Sequence, residues 1–329
     1  LAVAHAGDET DAHAWLERMT RALATRNYDG SFLHFSNGRA ESMRIVHRFA
    51  DGVVAERLVS LDGSGREVIR TASEVMCYLP DKRTVLVEKR TGSDPLLSTV
   101  PSYNEGLKAN YTLASPLSAR VMGRTARLVT VVPRDEFRYG YRLWLDEESA
   151  MPLKSELCDA QGHTIEQIAF ASLRLPTSVA DEELRPAMST TGFRWVRQEA
   201  LPLIMQSARG WTVVNPPQGF RLTITRVQRI GGSQVPVSHL VFSDGLASVS
   251  VFIEPRAANA EPAGLARVGS AYAYSTEVAD HRVTAVGEVP ATTVRAIANS
   301  VALNKIPDKE PNKSPNTTSR SGALPVQPE

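Results

Sequence analysis

The sequence predicts a mainly β protein with some helix (α+β): a half-closed antiparallel β-barrel with covering helices, then a smaller C-terminal α+β domain. Three observations carry that reading. Across residues 28–90, short runs alternate apolar and polar side chains. Asn37-Gly38, Asp51-Gly52, Gly63-Ser64-Gly65 and Pro80-Asp81 lie between them, residues that accept the φ values of hairpin turns. The alternation persists to Leu173 and amounts to roughly ten strands, more than an open sheet usually carries without curling. The chain's 329 residues exceed one average domain, and the texture changes at Pro176.

Taken in order, residues 1–6 end in Ala4-His5-Ala6 and read as the remnant of a cleaved secretory signal. Residues 11–26 read as a helix, because Trp15, Met19, Ala22 and Leu23 recur at helical spacing while Glu17, Arg18 and Arg21 face elsewhere. That apolar stripe is suited to packing on the sheet that follows. The meander's runs are 31–35, 42–49, 53–61, 66–71, 75–79 and 84–89. Residues 91–107, with Gly92, Pro95, Pro101 and Gly106, interrupt the rhythm and predict a loop with a short helix across the concave side. Strands resume at 111–115, 117–121, 126–132, 138–145, 153–158 and 164–173. In the 138–145 run Tyr139, Tyr141, Leu143 and Leu145 share one side, and Arg138, Gly140, Arg142 and Trp144 the other.

This places a first domain at 7–175 and an interdomain linker at 176–204, where Asp181-Glu182-Glu183 reads as solvated charge. The second domain, 205–303, holds strands at 211–214, 220–230, 237–242, 246–254, 270–277 and 281–288. A short helix follows Pro290, with Val294, Ile297, Ala298 and Val301 on one face. Residues 304–329 are Pro, Lys, Asn, Ser and Thr with almost no large apolar residue, which predicts a disordered tail.

Thirty-seven basic against thirty-six acidic residues give a net charge of +1, so no global field favours nucleic acid. Arg120, Arg124 and Arg127, and again Arg221, Arg226 and Arg229, form local basic groups that suit water or an anion. No run approaches the roughly 18 apolar residues that span a bilayer. Cys77 and Cys158 are too far apart in sequence for a metal knuckle or a CxxC pair; they read as small buried side chains, with a disulfide left open. HExxH, GxSxG, P-loop and GxGxxG patterns are absent from the sequence. His163 and Glu166 read as exposed polar positions of a strand. Neither an enzyme nor a metal or cofactor site is expected, and the residues alone leave a secreted β-rich binding protein with an unnamed ligand.

Five segments together resemble the MucB/RseB family, periplasmic negative regulators of the envelope-stress sigma factor: 56–70 (ERLVSLDGSGREVIR), 133–155 (PRDEFRYGYRLWLDEESAMPLKS), 217–222 (PQGFRL), 245–255 (GLASVSVFIEP) and 283–290 (VTAVGEVP). They fall in the expected order across both domains. The resemblance implies a first domain similar to the lipoprotein carriers LolA and LolB, and a location in the periplasm. It also implies a partner, the periplasmic segment of an RseA/MucA-type anti-sigma factor, shielded from regulated proteolysis, with lipopolysaccharide or other acyl lipid as releasing signal. On this basis Phe32, Ile45, Val54 and Leu58 are candidates for the lipid-facing concave side, and Phe252, Glu254 and Glu288 for partner binding. A periplasmic lipid or lipoprotein carrier acting alone is the alternative, and homo-oligomer formation stays open.

Overall fold

The computed structural model describes residues 6–89, 96–97, 106–198, 210–228, 235–257 and 262–303. Helix α1 (Ala6–Thr25) precedes β1 (Tyr28–Ser36), β2 (Arg39–Ala50), β3 (Val53–Ser60), β4 (Glu67–Arg70), β5 (Glu74–Leu79) and β6 (Thr84–Lys89). After the short helix α2 (Leu107–Asn110) come β7 (Tyr111–Val121), β8 (Arg124–Pro133), β9 (Gly140–Asp146), β10 (Pro152–Cys158), β11 (Thr164–Arg174) and β12 (Arg194–Gln198). All twelve strands join one sheet in the order β12-β6-β5-β4-β3-β2-β1-β11-β10-β9-β8-β7. Every hairpin of the meander forms as its turn residues demand. Asn37-Gly38 (φ 57° and 74°) and Asp51-Gly52 (φ 52° and 76°) have both central residues at positive φ, the conformation whose twist matches paired strands.

The sheet curls, and helix α1 shows that it must. This one helix packs against β2, β7 and β8. Six strand steps separate β2 from β7, roughly 29 Å if the sheet were flat, while a helix with side chains is about 10–12 Å across. Its stripe of Ala12, Trp15, Leu16, Met19, Ala22 and Leu23 is buried against Phe32, Ile45, Leu113, Val129, Leu143 and Phe170, and Leu97 and Leu107 complete the cover. The runs 111–115 and 117–121 form one strand, β7. Its register shifts between Ala114 and Leu117, where Pro116 removes a ladder donor.

Within the expected linker, residues 176–198 carry structure of their own. Its strand β12 adds in parallel to the edge of β6, and Met188 and Phe193 pack on a satellite core of Ile69, Tyr78, Val85 and Val87. Its carboxylates are paired rather than simply solvated: Asp181 lies 2.5 Å from Arg48 Nη1 and Glu183 2.7 Å from Arg44 Nη2, both on β2. An edge strand pairing through its backbone on one side needs little apolar periodicity, so the sequence shows none there.

The second unit comprises β13 (Trp211–Val213), β14 (Arg221–Gln228), β15 (Val237–Ser243), β16 (Ser248–Pro255), β17 (Gly264–Val268), β18 (Ala271–Val278), β19 (His281–Gly287), α3 (Ala291–Asn299) and β20 (Val301–Leu303). Its six-stranded sheet runs β14-β15-β16-β19-β18-β17, while β13 pairs with β20. Helix α3 buries Val294, Ile297 and Ala298 on the face made by Leu240, Val249, Val251, Ile253, Val283 and Ala285. Strand β17 has no counterpart in the sequence reading, because all its residues are exposed and nothing alternates. Among the described residues no helix is long and apolar enough to cross a membrane. The signal remnant, apart from Ala6, which begins α1, and the 304–329 tail lie outside the described residues.

Candidate functional site

Residues of one parity on β1, β2 and β3 face α1, and the four lipid candidates belong to that face. Phe32 and Ile45 are buried in its core, Phe32 with its ring 5.5 Å from that of Phe170. Leu58 is half-buried against the same core, and Val54 is half-buried nearer the strand's start. None of the described cavities is lined by these four. The apolar surface that curling creates is already occupied by α1 and its neighbours, so an acyl chain reaches Phe32 or Ile45 only by displacing that cover.

The same face carries buried charge that the sequence reading did not single out. Glu56 Oε2 lies 2.5 Å from Arg70 Nη2 and accepts the Leu96 amide at 3.2 Å, which ties the chain at Leu96 to the sheet. His47 stacks on Tyr28 with ring centroids 4.5 Å apart. Its Nδ1 is 2.8 Å from the Arg26 carbonyl, which only accepts, so the ring proton sits there. Burial lowers the His47 pKa to about 4, against the Arg26 hydrogen bond and with help from the Arg70 charge; the imidazole is neutral at pH 7.

The partner-binding candidates separate. Phe252 and Glu254 share the face of the second sheet away from α3. There Phe252 stacks on His239 at 4.4 Å, and Glu254 stands opposite Arg282 in the register. Glu288 instead lies just after β19, where the two units meet. Of the basic groups, Arg124 lies 3.3 Å from Asp146, Arg127 3.8 Å from Glu147, and Arg226 Nε donates to His239 Nδ1 at 3.0 Å, while Arg229 lies outside the described residues. Cys77 and Cys158 are not bonded to each other.

The meeting surface has two centres. At the first, Arg138 has no exposed side-chain surface. Its Nη1 is 3.2 Å from Asp244 Oδ2 of the second unit, equally buried, and its Nη2 donates to the Gln218 carbonyl at 2.5 Å. The Tyr111 hydroxyl donates to the same Asp244 oxygen at 3.0 Å, and the guanidinium lies over the rings of Tyr111 and Phe220. Thr292 and Thr293, at the start of α3, donate to the carbonyls of Glu136 and Phe137. Apolar contacts are exchanged as well: Leu246 packs on the first core and Phe137 on the second.

At the second centre, His34 Nε2 lies 3.0 Å from Glu166 Oε1 and Ser36 Oγ donates to Glu166 Oε2 at 3.4 Å. From the second unit Ser270 Oγ donates to Glu288 Oε1. Glu166 is buried, which corrects its reading as an exposed strand position, while His163 is exposed and pairs with Asp159 at 3.1 Å. Burial pushes Glu166 up, but the hydrogen bonds from His34 and Ser270 hold it below the ordinary carboxylate range. Glu288 is raised, by burial above all and by the Glu166 charge.

Family comparison accounts for both units. A model of the MucB/RseB N-terminal domain matches residues 11–188, and a model of the MucB/RseB C-terminal domain matches residues 205–302. The chain belongs to the MucB/RseB family. The sigma factor AlgU regulatory protein MucB of Pseudomonas aeruginosa is 31% identical over 296 residues, 88% of this chain and 90% of that protein. The sigma-E factor regulatory protein RseB of Escherichia coli K12 is 28% identical over 296 residues, 88% and 89% of the two chains. Among solved structures, Pseudomonas aeruginosa MucB in its complex with MucA superposes with a TM-score of 0.70 at 30% identity, over 89% of this chain and 99% of that one. A crystal structure of MucB gives 0.61 at 29% identity, over 90% and 98%.

Within this MucB/RseB chain, the seam residues were the ones hardest to see. Arg138, Asp244, His34 and Ser270 sit in alternating strands or turns where a polar residue looks solvated. The one legible hint was the composition of 133–155, a family-like segment dense in charge and aromatic rings, which supplies Arg138, Phe137 and Tyr141 to the meeting surface.

Proposed function

We propose that this protein works in the periplasm as a regulatory binding protein. It grips the periplasmic segment of a membrane-anchored anti-sigma factor of the RseA/MucA type, shields that segment from regulated proteolysis, and so restrains the envelope-stress sigma factor. The observation that carries this is the match across both units to MucB in complex with MucA. At nearly the same coverage, 89% and 90% of this chain, the TM-score is 0.70 with that complex and 0.61 with the other MucB structure. The whole-chain superposition is therefore the better one with the MucA-bound form. Partner contacts are assigned to Phe252 and Glu254 on the α3-free face and to Glu288 beside the seam.

Lipopolysaccharide or another acyl lipid is the proposed releasing signal. Each methylene removed from water contributes about 0.8 kcal/mol, so a chain that displaces α1 from Phe32, Ile45, Val54 and Leu58 has enough apolar contact to compete. It releases the partner to the extent that it binds a different arrangement more tightly than the partner-competent one. The test uses the full chain and a purified periplasmic segment of an anti-sigma factor. Co-elution and slower cleavage of that segment, both reversed by lipopolysaccharide, are expected; folded protein that neither binds nor protects the segment refutes the reading.

A further inference from the structure

We propose that the second domain locks the interior of the first: its turns 217–220 and 243–247 hold the corner between α2 and β7, so the apolar core beneath that corner opens only when the seam does. The starting point is a helix that cannot stand alone. Helix α2 is a single turn, Leu107–Asn110, and its N-cap Gly106 offers no side-chain bond to the free amides. So short a helix bears the full cost of nucleation with almost no propagation to offset it, and tertiary contacts must hold it. From below, Leu107 and Tyr111, the first residue of β7, are buried in the first core. From above, the contacts come from the second domain.

Two turns of that domain meet at this corner. In the turn closed by the Phe220 amide and the Pro217 carbonyl, Gly219 lies so near the buried Asn110 side chain that a Cβ would overlap its amide. Gln218 accepts from Arg138 Nη2 at 2.5 Å, and the same guanidinium lies over the rings of Phe220 and Tyr111. In the other turn Asp244 has two tasks. Its Oδ1 accepts the amides of Leu246 at 2.9 Å and Ala247 at 2.7 Å, which shapes the turn. Its Oδ2 accepts the Tyr111 hydroxyl at 3.0 Å and lies 3.2 Å from Arg138 Nη1, which fixes the turn to the first domain. The turn so held sets Leu246 as a wedge against the core that Leu107 and Tyr111 line.

The lock acts in both directions. Separating the domains withdraws Leu246 from the first core, takes the acceptor from the Tyr111 hydroxyl and uncovers Asn110. Within the first domain the corner then keeps Leu107's apolar contacts, the pairing of Tyr111 with Pro133, and the bonds from Arg134 to the carbonyls of Asn110 and Tyr111. Local opening there costs less than in β1 or β11, which are paired on both sides. Conversely, an apolar ligand that enters the core at this corner takes the place of Leu246 and favours separated domains. By linkage, the factor by which separation tightens that ligand equals the factor by which the ligand favours separation. The inference rests on the proposed entry of an acyl chain into the first core and adds that the seam must yield as well as α1.

The test uses the full chain without any partner protein, as wild type, Leu246→Ala and Tyr111→Phe. Leu246→Ala removes the wedge and leaves the Asp244 turn intact; Tyr111→Phe keeps the ring in the core and deletes only the bond to Asp244. Hydrogen exchange is read by mass spectrometry over 106–111, with 28–36 as the control. Palmitate binding is measured by calorimetry, and the radius of gyration by small-angle X-ray scattering with and without palmitate. Exchange at 106–111 is expected to rise about fivefold or more in both variants with 28–36 unchanged, as loss of one net hydrogen bond or one apolar contact gives. Palmitate should bind the variants about fivefold more tightly or better, and should expand the wild-type chain. Unchanged exchange at 106–111, equal palmitate affinity in all three proteins, or palmitate bound without expansion overturns the lock. Faster exchange at 106–111 with palmitate bound by none of the three supports the lock and refutes acyl-chain entry, so the two readings fail separately.

Discussion

Arg138 is a fully buried guanidinium, and its neighbours are Asp244 at 3.2 Å, Asp135 at 3.2 Å, the Gln218 carbonyl at 2.5 Å and two aromatic faces. Arg138→Ala leaves Asp244 buried without its counter-charge, a change that typically costs about 3–5 kcal/mol. Urea unfolding at pH 7 should show a loss of that size; a loss below about 1 kcal/mol would mean that water replaces the guanidinium. His47 gives a second outcome at this scale. Its folded pKa of about 4 lies below the ordinary 6.5, so the unfolded chain binds the proton first as pH falls. Its contribution is fully present above 6.5 and is lost as pH falls from there toward 4, on the order of 3 kcal/mol in the limit. In His47→Gln the slope of stability against pH in that window should be shallower; an unchanged slope would assign the acid sensitivity to other groups, of which His239, also lowered to about 4, is the first. Sequence patterning placed Phe32 and Ile45 correctly on an inward face, because apolar alternation reports burial directly. It misplaced Glu166 and gave no sign that Arg138 is buried, because alternation within one strand records nothing about a second unit far along the chain.

At the scale of elements, turn chemistry and periodicity were sufficient wherever the neighbour in the sheet is also the neighbour in sequence. The strands β1 to β6 follow one another through turns that Asn37-Gly38 and Asp51-Gly52 make nearly obligatory. Strand β11 returns to pair with β1, closing the order between distant segments, and β12 crosses to the far edge; neither pairing has a local signal. Strand β12 offers a direct test, since its register sets Val196 beside Leu86 on β6. Val196→Pro removes a backbone donor and fixes φ away from the strand value, so β12 should detach while the rest of the sheet persists. Hydrogen exchange is then expected to accelerate in 84–89 and around Met188 and Phe193, with the 111–121 region unchanged. Unaltered protection in 84–89 would show that the side-chain contacts of Met188 and Phe193, rather than strand pairing, hold this segment.

The whole molecule depends on the disposition of two units that each have their own core, and one glycine tests that disposition without touching a charge. Gly219 adopts φ +88°, a region costly for other residues, and a Cβ there would collide with the Asn110 side-chain amide of the first domain. Gly219→Ala therefore carries two penalties, local backbone strain of about 1–2 kcal/mol and a steric push at the seam. The first is intrinsic to position 219, whereas the second disappears if Asn110 is shortened, so the pair separates them. Binding of the anti-sigma segment, measured by calorimetry, should weaken in Gly219→Ala, and the chain's radius of gyration should rise. Adding Asn110→Ala should restore the dimensions and most of the affinity while the stability deficit from strain remains. If the double variant binds as weakly as Gly219→Ala, the effect lies in the strained turn alone. If Gly219→Ala binds normally in spite of an opened seam, the partner recognises the units separately, and the close match to MucB in its MucA complex reflects fold rather than a binding-competent arrangement.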